Sequence, residues 1–138
     1  MAIGKTTFGI NFPFTDSGRG DYLKLTTNAS DQIKSDLIHL LLTRKGTRYF
    51  MPDFGTNLYQ YLFENIDDVV IGKIENEIID SCATYLPAVK INKVTITSYL
   101  DNPDYVDDDA TQHKLTINID YDVTSKSFNE RNSVTLNL

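Results

Sequence analysis

The apolar residues of this chain first recur at helical spacing in the segment that ends near residue 43. Four of them form one stripe at positions i, i+4, i+7 and i+8, namely Ile33, Leu37, Leu40 and Leu41. This stripe predicts an amphipathic helix from about Asp31 to Thr43. Gly46 suits the end of that helix, and a short second helix is expected over Thr56 to Phe63.

A second helical stripe lies in the middle of the chain. It consists of Val70, Ile74, Ile78, Cys82 and Tyr85, and Ile71 and Ile79 widen it. The pattern predicts a long helix that begins at Asp67 or Asp68, with Glu77 on the solvent side. Pro87 ends the helix, because a proline pushes the preceding residue out of the helical region.

After Pro87 the apolar period changes to two, which is typical of strands with one buried face. The first strand shifts its phase between Ile91 and Val94, so a bulge or kink is expected near Asn92. The other strands are marked by Leu115, Ile117, Ile119, Tyr121 and Val123, and by Val134, Leu136 and Leu138. Polar tracts over residues 101–112 and 125–132 separate the three strands and favour an antiparallel meander.

This order of elements predicts the fold class. Helices followed by strands indicate an α+β fold, with three N-terminal helices packed on one face of a small, mainly antiparallel C-terminal β-sheet. With no internal repeat and no linker composition, residues 1–138 are interpreted as a single domain. Before the first helix, Phe8 to Gly20 is expected to be irregular and pinned to the core by its three phenylalanines.

Composition and charge then exclude several classes of partner. The net charge of −6 and the pI near 4.7 argue against nucleic-acid binding, which needs clustered lysine and arginine. The apolar runs are too short to cross a bilayer, and the first residues lack the apolar core of a signal peptide. We therefore expect no membrane partner. Cys82 is the single cysteine, so no disulfide forms within the chain.

The concentration of acid at residues 101–112 raises the question of a calcium site. Calcium takes several oxygen ligands, and this tract holds five aspartates. It does not match the EF-hand loop, because Val106 stands where glycine is needed and Gln112 stands where glutamate is needed. A solvated loop is the favoured interpretation, and no metal or other cofactor is predicted.

Catalytic patterns are equally weak. A glycosidase would need two carboxylates across a cleft, and Glu64 with Asp53 or Asp67 is a candidate pair that no motif supports. His39 and His113 have no acidic neighbour at ligand spacing, and His39 is expected to be a partly buried packing residue. We predict that the chain is not an enzyme and binds no small-molecule substrate.

The most constrained segment runs from Leu42 to Phe63. Gly46, Pro52 and Gly55 impose backbone constraints there among six aromatic residues. One interpretation is an ordinary joint between helices, with the aromatics as core filler. Arg48 favours a docking element instead, because a planar guanidinium beside Tyr49 and Phe50 offers hydrogen-bond donors next to a large apolar surface.

Several motifs in this order resemble one known family. They are Phe12-Pro13-Phe14, Leu41-Leu42-Thr43, Gly46, Arg48, Pro52, Phe54-Gly55 and Leu62-Phe63-Glu64. The chain is similar to the baseplate wedge family named for gene product 25 of the T-even phages, which is related to a type VI secretion baseplate subunit. It departs from the family at Leu86-Pro87-Ala88, where Glu-Pro-Arg is frequent.

The resemblance implies a structural subunit of a contractile phage tail, made in the host bacterial cytoplasm and located in the virion baseplate. Such a subunit connects wedge and hub proteins to the first ring of tail sheath and starts sheath assembly. Its expected partners are therefore other baseplate wedge subunits and the tail sheath protein. A tailocin or type VI component, and a lysozyme-like peptidoglycan hydrolase, are the alternatives.

Two groups of residues are the candidate partner sites. The first is expected to bind wedge subunits together with the first helix, and it comprises Gly46, Arg48, Tyr49, Pro52, Phe54, Gly55 and Pro87. The second is the terminal strand with Val134, Leu136 and Leu138, which is expected to leave an edge to which a sheath strand is added.

Overall fold

The computed structural model describes residues 7–16, 18, 22–98, 115–124 and 129–138. The helices are α1 (Ala29–Leu42), α2 (Leu58–Tyr61) and α3 (Asp68–Tyr85), and the strands are β1 (Gly9–Ile10), β2 (Leu25–Thr26), β3 (Val89–Ser98), β4 (Leu115–Thr124) and β5 (Asn129–Asn137). The predicted α+β class with an antiparallel C-terminal sheet is confirmed. The chain divides into two compact units, Met1–His39 and Leu40–Leu138. The single-domain interpretation stays a prediction.

In the first unit, β1 and β2 form a two-stranded antiparallel sheet. Phe12, which follows a strand that the sequence did not predict, stacks on the ring of His39 with 5.6 Å between centroids. The backbone N–H of Phe12 also donates to Ser35 Oγ at 3.2 Å. Phe8 and Phe14 are exposed, so the expectation that all three phenylalanines are buried was wrong. His39 is exposed, so the expectation that it is partly buried was wrong.

In the second unit, the three long strands form an antiparallel sheet in the order β3-β4-β5. The register between β3 and β4 shifts between Ile91 and Lys93, which confirms the bulge expected near Asn92. β5 begins at Asn129, well before the predicted start at Val134. The expectation of a loop over residues 129–132 was therefore wrong, because these polar residues continue the pairing with β4.

One face of this sheet is apolar and contacts α3 through β3. Alternate residues of β4 are buried on it, namely Leu115, Ile117, Ile119, Tyr121 and Val123. α3 contributes Val70, Ile74, Ile78 and Cys82, as its stripe predicts. Ile79 is 45% exposed, because it lies a helical step away from the buried stripe. Packing of the other helices on this sheet stays a prediction.

Two local features of α3 follow from its sequence. Asp67 is the N-cap, and its Oδ1 accepts from the backbone N–H of Val70 at 2.8 Å. Burial raises the pKa of the Cys82 thiol to about 12, so this group stays protonated at neutral pH. No helix in the described part of the chain combines the length and apolarity that crossing a bilayer requires.

Candidate functional site

The loop between α1 and α2, residues 43–56, closes on itself through backbone hydrogen bonds. Thr56 N–H donates to Thr43 O at 2.8 Å, and Lys45 N–H donates to Thr56 O at 3.2 Å. Further out, Gly46 N–H donates to the carbonyl of Pro52 at 2.7 Å. These bonds join the two ends of the loop. We call these residues the docking loop.

Two glycines allow this closure. Gly46 and Gly55 have φ values of +84° and +110°, a region that favours glycine. Gly55 is buried, and a Cβ there would overlap the carbonyl of Thr43. Gly46 faces open space. Both glycines were correctly predicted from the sequence to be constrained. The structure adds that both need a left-handed backbone, whereas only Gly55 also has no space for a side chain.

Buried hydroxyls and one carboxylate hold the base of the docking loop. Thr56 Oγ1 donates to Leu41 O at 2.7 Å, in a fully buried position. Glu77 of α3 accepts from Asn57 N–H at 2.8 Å and from Lys45 Nζ at 3.3 Å. The Glu77 side chain is only 12% exposed, so the prediction that it faces solvent was wrong.

Tyr61 belongs to the same base. Its pKa is raised first by burial, and then by the charge of Glu77 and a hydrogen bond to that carboxylate. Glu77 therefore connects three points of the surrounding chain to α3. Sequence periodicity could not predict these contacts of Glu77, because it indicates only which side of a helix a residue lies on.

Further along the docking loop, Arg48 and Phe54 lie against the end of α3. The guanidinium of Arg48 is 4.2 Å from the centre of the Phe54 ring. Phe54 in turn meets Tyr85 edge to face, with 5.0 Å between ring centroids. Tyr85 is the last residue of α3, and the exposed Pro87 follows closely. Phe54, with Arg48 stacked on it, therefore lies at the same end of α3 as Pro87.

The tip of the docking loop is exposed and aromatic. Tyr49 and Phe50 are each 92% exposed and pack edge to face, with 5.2 Å between centroids. The core-filler interpretation fits the half-buried Phe54 but is wrong for these two residues. Phe50 was interpreted from the sequence as apolar surface beside Arg48 that suits an interface, whereas the exposed Phe63 after α2 was not among the predicted site residues. Their aromatic type was a signal, but sequence alone does not distinguish exposed aromatics from buried ones.

The second candidate site lies on β5, which is an edge strand of the sheet. Leu115 and Leu138 exchange two backbone hydrogen bonds of 3.1 and 2.9 Å. Because hydrogen-bonded pairs alternate along an antiparallel ladder, Leu136 and Val134 also direct their backbone groups toward β4. The residues between them direct theirs away from β4, namely Arg131, Ser133, Thr135 and Asn137. Among the described residues, no strand pairs with that side.

Side chains on β5 divide in the same way. Val134 and Leu136 are 3% and 4% exposed and face the core, and Leu138 is half-buried. On the opposite face, Thr135 Oγ1 donates to Asn118 Oδ1 at 2.7 Å. The predicted apolar residues therefore anchor the strand, whereas polar residues carry its outward backbone groups.

An ion pair continues this polar face toward the bulge of β3. Arg131 Nε lies 3.3 Å from Asp122 Oδ1. A hydrogen bond from Asn92, the bulge residue, and then the contact with Arg131 lower the pKa of the half-buried Asp122. Asn92 is therefore both the residue at which the register shifts and a side-chain hydrogen-bond partner of Asp122.

The three carboxylates considered for glycosidase chemistry differ in their surroundings. Asp67 caps α3, while Asp53 and Glu64 are exposed. The acidic tract 101–112 and His113 lie outside the described residues. Within the ranges that the structure describes, no three His, Cys, Asp or Glu side chains come together as metal ligands would.

Comparison with known proteins identifies the family. The model of the family described as baseplate wedge protein gp25 matches residues 27–127, which include the docking loop, α3, β3 and β4. The chain belongs to this family. Baseplate wedge protein gp25 of Enterobacteria phage T4 is 32% identical over 101 residues, which are 62% of this chain and 72% of the T4 protein. The predicted family, and the role of a structural virion protein of the contractile-tail baseplate, are confirmed.

Solved structures share the fold of this chain. A tail-lysozyme candidate from Geobacter sulfurreducens is 26% identical, with a TM-score of 0.65 over 83% of this chain and 94% of its own. The baseplate of the anti-feeding prophage contains a chain with a TM-score of 0.59 and 20% identity, covering 91% of this chain and 81% of that one. The pyocin R2 baseplate contains a chain with a TM-score of 0.51 and 10% identity, and the match covers 89% of this chain and 96% of that one. The last two similarities concern the fold alone.

Proposed function

We propose that this chain connects two kinds of baseplate partner. The docking loop and the Pro87 corner bind other wedge subunits, and the outer edge of β5 receives a strand of the tail sheath protein. Sheath polymerisation then starts from the first ring attached in this way. The observation that carries the proposal is the edge position of β5, whose outward backbone groups have no strand partner in the described part of the chain.

Strand addition needs both a free edge and a strand that does not move. An incoming strand bonds to the outward N–H and C=O groups of Ser133 and Thr135, as in β-augmentation generally. Its apolar side chains extend the core beside Val134 and Leu136, and its polar side chains lie beside Arg131. The buried residues of β5 hold the edge in register, since a slip of one residue would expose them.

The sharpest test is Thr135→Pro. Proline removes the outward N–H and places its ring on the open edge, but leaves the bonds of Val134 and Leu136 to β4. We expect baseplates of normal composition on which sheath growth falls about tenfold or more, since a lost hydrogen bond and a steric clash act together. Assembled sheath is counted by electron microscopy.

Thr135→Val is the matched control, because it keeps the N–H and the β-branched shape. It should support normal sheath growth. If Thr135→Pro baseplates also grew normal sheath, strand addition at β5 would be excluded. Deletion of residues 133–138 is a poorer test, because Val134 and Leu136 belong to the core.

The proposed role is structural and not hydrolytic. The similarity to a tail-lysozyme candidate makes peptidoglycan hydrolysis the alternative to measure. Asp67 is engaged as a helix cap and Glu77 holds the docking loop, so neither carboxylate is free for acid–base work. We expect purified protein and its Glu64→Gln variant to leave a peptidoglycan suspension equally turbid. Clearing by the wild type that Glu64→Gln abolishes would establish an enzyme instead.

A further inference from the structure

The docking loop carries a charge opposite to that of the chain. Its residues 43–56 include Arg44, Lys45 and Arg48 and a single acidic residue, Asp53. The whole chain, by contrast, has 19 acidic and 13 basic residues. A local excess of positive charge on an acidic protein attracts acidic surfaces of a partner.

The two arginines are held in place by aromatic rings. Arg48 lies over Phe54 at 4.2 Å, and Arg44 lies 5.1 Å from the centre of the Tyr59 ring. Stacking of this kind fixes the plane of a guanidinium and leaves the N–H groups at its edges free to donate. Neither arginine has an ion-pair partner among the residues that the structure describes, where the two ion pairs are Lys45–Glu77 and Arg131–Asp122.

Polar and apolar surfaces adjoin these cations. A shallow cavity of about 410 Å³ is lined by Arg44, Lys45, Thr47, Asn57, Tyr59 and Gln60, so hydrogen-bond donors surround a space large enough for several side-chain atoms. The exposed rings of Tyr49 and Phe50 project from the same loop. Arginine, tyrosine and phenylalanine are the types enriched at the centres of protein interfaces.

We propose that Arg44, Arg48, Tyr49 and Phe50, here called the cationic tip, bind a segment of another wedge subunit that presents carboxylates beside apolar side chains. This rests on the proposed function, and it specifies the chemistry of the wedge partner. The carboxylates meet the two stacked guanidiniums, and the apolar side chains cover Tyr49 and Phe50. Nucleic acid is a poor occupant, because few phosphates could be neutralised by the tip of a chain with net charge −6.

The test measures binding of this chain to the wedge complex of the same particle, purified without it. Arg44→Glu/Arg48→Glu should weaken binding about a hundredfold, because attraction becomes repulsion. Tyr49→Ala/Phe50→Ala should weaken it about thirtyfold through lost anchors. Raising NaCl from about 50 to about 500 mM should weaken the wild type more than Arg44→Gln/Arg48→Gln, since salt screens exposed charges.

Matched controls lie elsewhere on the surface. Lys34→Glu/Lys93→Glu makes the same charge change at two exposed lysines, and Tyr22→Ala removes an aromatic side chain that is 96% exposed. Both should bind like the wild type. Circular dichroism and thermal unfolding of each variant check that the fold is retained.

The outcomes separate two levels of failure. If the wild type binds the wedge complex but charge reversal at the tip has no effect, the acidic partner is excluded and the wedge connection stands. If the wild type does not bind, the wedge connection itself is overturned, and the inference with it. Sedimentation that shows a dimer lost in Tyr49→Ala/Phe50→Ala would instead assign the tip to a second copy of this chain.

Discussion

Gly55→Ala is expected to destabilise the second unit by roughly 3 kcal/mol or more. A side chain at φ +110° is strained, and the added Cβ would lie 2.9 Å from the carbonyl carbon of Thr43 and closer still to its oxygen. The obstructing atoms are backbone atoms of the loop base, so relief requires Thr43 and Thr56 to separate. That movement would break their hydrogen bond.

Gly46→Ala provides the comparison, because this glycine also has a positive φ but has no atom within 4 Å of the added Cβ. Its cost should be limited to backbone strain, about 1 kcal/mol. Urea unfolding of both variants measures the difference. Equal losses for the two variants would contradict the close approach of Gly55 to Thr43. A larger loss of stability for Gly55→Ala would show that the base of the docking loop depends on the close approach of Gly55 to Thr43, and not only on the left-handed backbone of the glycines.

The sheet shows what could be predicted from sequence. β4 alternates apolar and polar residues over its whole length, because one of its faces is buried and the other is polar. The same rule found the bulge at Asn92, since a bulge moves the apolar phase by one residue. β5 was only half found, because its first residues, Asn129 to Ser133, are mostly polar and are ordered by pairing with β4.

The docking loop shows the opposite case. Its glycines and Arg48 were identified from composition, but the positions of its aromatics depend on how the loop folds back on α3. Phe54 and Phe50 are the same residue type a few positions apart, and one packs on Tyr85 while the other is 92% exposed. No local pattern separates them. The family resemblance could supply a setting for the loop, but not the contacts of each ring.

Glu77 illustrates a further limit. Helical periodicity assigned it to the solvent side, and on α3 alone that assignment is reasonable. The docking loop then covers that side and supplies Asn57 N–H and Lys45 as partners. A residue outside the apolar stripe becomes the point at which two segments distant in sequence are joined. Such long-range pairing is invisible to a window of neighbouring residues.

Substitution of Ile74 by alanine is expected to cost about 3 kcal/mol, because the side chain is fully buried and its loss leaves a cavity in the core. Ile79→Ala makes the same chemical change on the same helix, at a position that is 45% exposed. Its cost should stay within about 0.5 kcal/mol. Urea unfolding of the two variants measures both values.

The sequence stripe included both isoleucines, so this pair of variants tests the orientation of α3 directly. Similar losses at both positions would contradict that orientation, because they would require Ile79 to be buried as well. If Ile79→Ala unfolds like the wild type but assembles poorly into baseplates, the exposed side of α3 is itself covered by a wedge partner. Folding and assembly would then depend on opposite sides of one helix, and each could be altered without the other.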